Sequence, residues 1–138
     1  MGDKIARDAY RMTRTVALEG GVHLLNAMVD GGLLILANRT REKIKPSDMG
    51  RSREVLISEI EERIGAEVET LPGWNEVEKL RSDANALKHR VGLTFGPGTE
   101  TPLSIKTDVS VTQDDLMKGL MSVRQWLLEI DRRMPRKS

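Results

Sequence analysis

The side chains best suited to chemistry in this chain lie together in Lys79-Leu80-Arg81-Ser82-Asp83-Ala84-Asn85-Ala86-Leu87-Lys88-His89-Arg90. With Ala84 at zero on a helical wheel, Arg81, Asn85, Lys88, Glu78 and His89 fall between about +40° and +140°. Val77, Leu80, Ala84, Leu87 and Val91 fall between about −60° and +20°, so a polar strip runs along one shoulder of an apolar face. An imidazole moves protons near neutral pH, and a guanidinium or ammonium holds a phosphate and stabilises its developing charge. Metal-free cleavage of RNA requires such a set, with a proton-transfer group near the 2′-OH or the leaving oxygen and cations on the phosphate. Spacing alone equally describes a polar helix edge laced by i to i+4 pairs such as Glu78 with Ser82 and Arg81 with Asn85, and it favours that plainer reading.

Other routes to chemistry are closed or faint. His23 and His89 are the only imidazoles, and neither has a second His one turn away, so a zinc site of the HExxH kind is absent. With no Cys there is no thiolate metal site, no disulfide and no Cys nucleophile. No phosphate-cradling GxxxxGK[ST] stretch occurs, and no cofactor is expected. Four aromatic residues, Tyr10, Trp74, Phe95 and Trp126, are too few for a base-stacking platform. A lone His23 near the start of an apolar helix reads as a partly buried structural residue.

The elements that must position the strip are helical throughout. Ile5, Ala9, Met12 and Val16 form one stripe, with Lys4, Arg7, Arg11 and Arg14 as a basic ridge on another face, which is ordinarily a solvated face. Gly20-Gly21 suggests a break before a central helix over 22–41, and Pro46 ends that region. A third helix is expected from about Ser52 to Val68, with Ile57, Ile60 and Ile64 inward and Glu54, Glu59, Glu61 and Glu62 mostly outward. Leu71-Pro72-Gly73 separates it from the helix that carries the strip, which Gly92 should stop. A loop over Gly92–Val111 follows, and a last helix opens at Thr112 with Asp115 in the return position of a capping box. Residues 134–138 read as a frayed tail. The expectation is one all-α domain over 1–138, an antiparallel bundle of four to five helices with one long loop before the last.

The segment Trp74-Asn75-Glu76-Val77-Glu78-Lys79-Leu80-Arg81, continuing into Asn85-Ala86-Leu87-Lys88-His89-Arg90-Val91-Gly92 and a final helix ending Trp126-Leu127-Leu128-Glu129-Ile130, resembles helical proteins of the HEPN type. The resemblance covers the second half of the chain. It implies an all-α bundle that commonly dimerises and, in active members, a metal-independent ribonuclease of toxin–antitoxin or antiphage systems. On this resemblance His89 is the general acid or base and Asn85 its orienting partner, while Arg81, one turn earlier, as a catalytic cation, and the neighbouring Lys88 and Arg90, as substrate-binding residues, are the displaced cations that could stand in for the family's Arg. The family signature places Arg just before the polar residue, and this chain has Ala84 there. The alternative is a non-catalytic dimerisation or protein-interaction module, supported by the Gly-containing apolar stretch 22–41 and by Met117, Met121 and Met134 in the last helix. A helix-turn-helix reader of DNA fits less well, because the flanks of the candidate recognition helix are acidic and apolar.

Charge is segregated along the chain. The net charge is +1, yet residues 1–53 carry +4, residues 54–78 carry −7 and residues 79–138 carry +4. This pattern suits pairing within or between subunits as well as an RNA face. The longest uninterrupted apolar run, Leu33 to Ala37, is far short of the ~18 residues a membrane span needs, so no membrane partner is expected. The charged start Met1-Gly2-Asp3-Lys4 has no apolar core of a secretory signal, and Ala6 stands where a myristoylation motif wants Ser or Thr, so a cytoplasmic location is expected. The expected partners are a second copy, RNA or another protein.

Overall fold

The computed structural model describes residues 2–39, 50–95 and 111–135; the side chains of 89–95 lie outside the described residues, as does most of the expected Gly92–Val111 loop. Four helices make up the bundle: α1 (Gly2–Ala37), α2 (Arg53–Ile64), α3 (Trp74–Phe95) and α4 (Gln113–Arg133), with a 3₁₀ turn at Val68–Thr70. The described residues contain no strand, and the architecture is the expected all-α bundle.

The break expected at Gly20-Gly21 does not occur. α1 runs unbroken through both glycine pairs. Each interior Gly costs about 1 kcal/mol of helix propensity, and packing supplies the reason for keeping two of them. A Cβ on Gly21 would sit 2.7 Å from Leu116 Cδ1, and one on Gly32 would sit 2.7 Å from Leu127 Cδ1. The bare backbone therefore lets α4 lie close against α1. The same contacts fix direction, since Gly21 meets Leu116 and Gly32 meets Leu127, so α1 and α4 run parallel. α3 runs antiparallel to α4, with Leu80 beside Gly119 and Trp74 beside Trp126. Arg53 reaches Asn26 and Asp30 while Arg63 reaches Ala37, so α2 runs parallel to α1, and parallel neighbours cannot be joined by a short turn, which accounts for the long connection before α2.

Local chemistry sets most helix ends. Ser52 Oγ accepts from the Val55 amide at 3.3 Å to start α2, and Gly65, at φ +67°, ends it with its amide donating to Glu61 O at 2.9 Å. The third helix therefore stops short of Val68. Gly92 does not stop α3, which continues to Phe95. The capping box of α4 forms as expected: the Asp115 amide donates to Thr112 Oγ1 at 3.1 Å, and the Thr112 amide donates to Asp115 Oδ2 at 2.9 Å. The bond from the Thr112 amide, and after it the Thr112 hydroxyl, hold the Asp115 carboxyl below its ordinary range. Met134 does not belong to a frayed tail, because it is buried and its amide caps α4 at Ile130 O. Residues 136–138 lie outside the described residues.

The core is built on the second half of α1 and the inner faces of the other helices. Val22, Leu25, Val29, Leu33 and Leu36 enter it from α1 and meet Val77, Leu80, Ala84 and Leu87 of α3. Trp126, completely buried, is the largest side chain there; its indole Nε1 donates to Val68 O at 2.9 Å and its ring stands 5.7 Å from that of Trp74. This contact docks the 3₁₀ turn onto α4. Of the three inward isoleucines expected on α2, Ile60 is fully buried and Ile57 and Ile64 pack at its margin.

Candidate functional site

A cleft of about 430 Å³ opens between the second half of α1, the start of α2 and α3. Arg81 and Asn85 of the sequence-predicted strip both line it, one helical turn apart. Across from them stand Asn26 and Asp30 of α1, and Arg51, Ser52 and Arg53 at the entry to α2. Three guanidinium groups therefore surround one opening, and Arg51 and Arg53 are the residues that reading the strip alone does not reveal. Their proximity to Arg81 depends on α2 docking against α1, with Glu54 at its start reaching Arg81 of α3.

Each of these arginines is engaged by a carboxylate of its own chain. Arg53, buried, donates from Nε to Asp30 Oδ1 at 2.6 Å and from Nη2 to both the carbonyl and the side-chain oxygen of Asn26, at 3.0 and 2.8 Å. Its Nη1 is buried without a hydrogen-bond partner. Arg51 donates to Glu59 Oε1 at 2.5 Å and to Asn38 Oδ1 at 2.9 Å. Arg81 pairs with Glu54, and that hydrogen bond holds the Glu54 carboxyl below its ordinary range and raises the Arg81 guanidinium above its own. A phosphate entering the cleft would have to compete with carboxylates already in place.

The rest of the strip divides. Lys88 is exposed, while the side chains of His89 and Arg90 lie outside the described residues. Asn85 is exposed within the cleft, and His89 follows it by one helical turn of α3. Ala84 is 4% exposed and faces the core. The position that carries Arg in the family signature thus faces the core, and Ala84 does not line the cleft. His23, expected to be partly buried, is exposed. No group of three or more His, Cys, Asp or Glu able to hold a metal occurs among the described residues.

A second surface is larger and apolar. Residues 2–17 of α1 are exposed throughout and form an arm reaching beyond the bundle. Ile5, Met12 and Val16 are 65%, 70% and 64% exposed, so the first apolar stripe covers no core among the described residues. The stripe continues on the outer side of the packed half of α1 as Leu24, Met28 and Ile35. Beside it, α4 exposes Met117, Leu120, Met121 and Leu128. α1 is consequently apolar on two sides: the inner side enters the core and the outer side is exposed, covered by no other helix among the described residues. It includes an 18-residue window of mean hydropathy 1.4, one third of it buried, which is long and apolar enough by length and composition to cross a membrane. Counting uninterrupted runs missed this window, because polar residues such as Asn26 and Asp30 divide it without outweighing it.

The chain matches no family model, no curated protein sequence and no solved structure.

Proposed function

We propose that this chain is a non-catalytic helical interaction module that acts by covering the outer apolar surface of α1 and α4 with a protein partner. The observation that carries the reading is the set of large apolar side chains exposed on α1 on both sides of Gly20. Monomeric proteins rarely leave a contiguous apolar patch of more than a few hundred Å² in water. The arm over residues 2–17 buries no side chain among the described residues, and an isolated helix of that length is only marginally helical in water, so it needs a partner to persist. The burial of Ala84 and the pairing of Arg81 with Glu54 support a binding role over a catalytic one.

Light scattering on the purified chain tests the reading. The expected result is a mass of two chains; a monomer at every concentration that also retains no partner in a pull-down contradicts it.

One observation favours a second reading, that of a HEPN-like protein engaging RNA: Arg81 and Asn85 share a cleft with two further arginines. On this reading His89→Ala abolishes RNA cleavage or growth inhibition and leaves the helical fold intact. Equal activity in the variant and the parent rules it out.

A further inference from the structure

We infer that the outer groove between α1 and α4 seats the N-terminal arm of a second copy of this chain, the two α1 helices crossing antiparallel about a two-fold axis at Gly20. The inference rests on the interaction-module reading and names its partner and its contact. Met12, Val16, Gly20, Leu24 and Met28 recur every four residues and are all exposed, so they form one i±4 ridge along the helix. The ridge is symmetric about its glycine. Val16 and Leu24 stand four residues either side of Gly20, and Met12 and Met28 stand eight either side. A two-fold interface requires that if one residue contacts a second, the second contacts the first across the axis. An antiparallel crossing at Gly20 meets that condition by placing Val16 against Leu24 and Met12 against Met28, twice each.

The centre and flanks of this arrangement fit. A Cβ built on Gly20 would meet nothing of its own chain within 4 Å, so the backbone there is open to a close approach from outside. Ridges of the i±4 kind pack at an interaxial angle of about −50°. On α1, the exposed residues 24, 28 and 35 lie on the flank next to α4, so the crossing carries the partner's arm over the α1–α4 groove. There it meets Leu120 and Leu128, which the Leu116–Gly21 and Leu127–Gly32 contacts hold level with Leu24 and Ile35.

Size and charge agree with a stable pairing. A side chain of this class removes about 100 Å² of apolar surface from water, and the exposed residues of the arm, ridge and groove together approach the ~800 Å² per partner of a standard interface. Lys4, Arg7, Arg11 and Arg14 lie about 120° to 200° around the helix from Gly20 and stay in water when the ridge docks. The contact therefore leaves these four cations solvated, where burying them unpaired would oppose it.

The test is a charge rescue on two exposed positions, read as mass by analytical ultracentrifugation over roughly 1 to 100 µM, a range that spans moderate dimer affinities. Val16→Glu and Leu24→Lys singly are each expected to weaken dimerisation by about a hundredfold or more, since the two-fold doubles each lesion. The double variant is expected to regain most of the affinity, because residue 16 of one copy faces residue 24 of the other. Gly20→Leu, whose Cβ meets nothing of its own chain within 4 Å at an exposed position, is expected to be helical and monomeric. A dimer that tolerates Val16→Glu, or a double variant that stays monomeric, overturns the inference and leaves the module reading standing. A parent chain that is monomeric throughout overturns the inference, and one that also retains no partner in a pull-down, or that associates only with vesicles of mixed neutral and anionic lipid, overturns both.

Discussion

Two glycines with positive φ offer a calibrated test of how α3 begins. Gly65 (φ +67°) caps α2, and an added Cβ there would meet nothing within 4 Å. Gly73 (φ +96°) precedes α3, and its added Cβ would lie 2.5 Å from Ser122 O and 3.1 Å from Trp126 Cβ. Gly65→Ala thus pays only for the left-handed backbone, about 1 to 2 kcal/mol. Gly73→Ala pays that and an overpacking cost of about 1 to 3 kcal/mol, because the obstructing oxygen belongs to the α4 backbone and cannot rotate aside as a side chain would. Both variants restrict the unfolded chain to the same extent, so that contribution cancels in the comparison. The expected totals are about 1 to 2 and about 2 to 5 kcal/mol. Urea unfolding followed by far-UV circular dichroism, at one protein concentration, reads the difference as a shift in midpoint at constant slope. If Gly73→Ala loses no more stability than Gly65→Ala, then α3 does not start against Ser122 and the account of the α3–α4 packing is wrong.

Three further outcomes follow from other contacts. Trp126→Phe removes the indole donor from a buried carbonyl at Val68 and is expected to cost about 1 to 3 kcal/mol, measured by thermal melting; a loss within error would show that the 3₁₀ turn is held by something else. Asp30→Ala strands the buried Arg53 guanidinium, whereas Arg53→Met leaves a half-exposed carboxylate that water can solvate. The Asp30 variant is expected to be the less stable by about 2 kcal/mol, and the reverse order in melting temperature would refute the pairing. The Glu129 carboxyl is held down to about 2 by hydrogen bonds from Arg132 and then Arg133. Its folded pKa is depressed, so its stabilising contribution is present above pH 4.5, the ordinary carboxyl value, and is lost as pH falls toward about 2. A carbon-detected NMR titration should place its midpoint there in the parent chain and near the ordinary value when both arginines are changed to Ala.

The sequence reveals what local rules control and leaves hidden what depends on neighbours. The capping box at Thr112 and Asp115 is readable because the four residues involved complete each other's hydrogen bonds. The core face of α3 is readable because Val77, Leu80, Ala84 and Leu87 keep helical period and are all buried. Gly20-Gly21 misleads, since propensity records the cost of glycine but not the gain from bringing Leu116 close. The stripe Ile5, Ala9, Met12 and Val16 shows which side of the arm is apolar, while whether anything covers that side depends on where α2, α3 and α4 end. On α4, Leu120 keeps helical spacing with the core residues Val123 and Ile130 yet is exposed, and the deepest anchor there is Trp126. At the cleft, Arg81 and Asn85 are found from their spacing, whereas Arg51 and Arg53 join them only through tertiary packing.

The uneven packing of α1 divides one geometric helix into two cooperative units. Amides over residues 22–37 are tied to the core and exchange with solvent only when the bundle opens, whereas those over 2–17 need only the arm to fray. Amide exchange should therefore step sharply near Gly20-Gly21 rather than decline smoothly from the terminus. If the arm is ordered by a second copy, protection on its side of the step rises with protein concentration while protection on the other side does not. The helix then carries its own gauge of association, readable residue by residue along a single backbone.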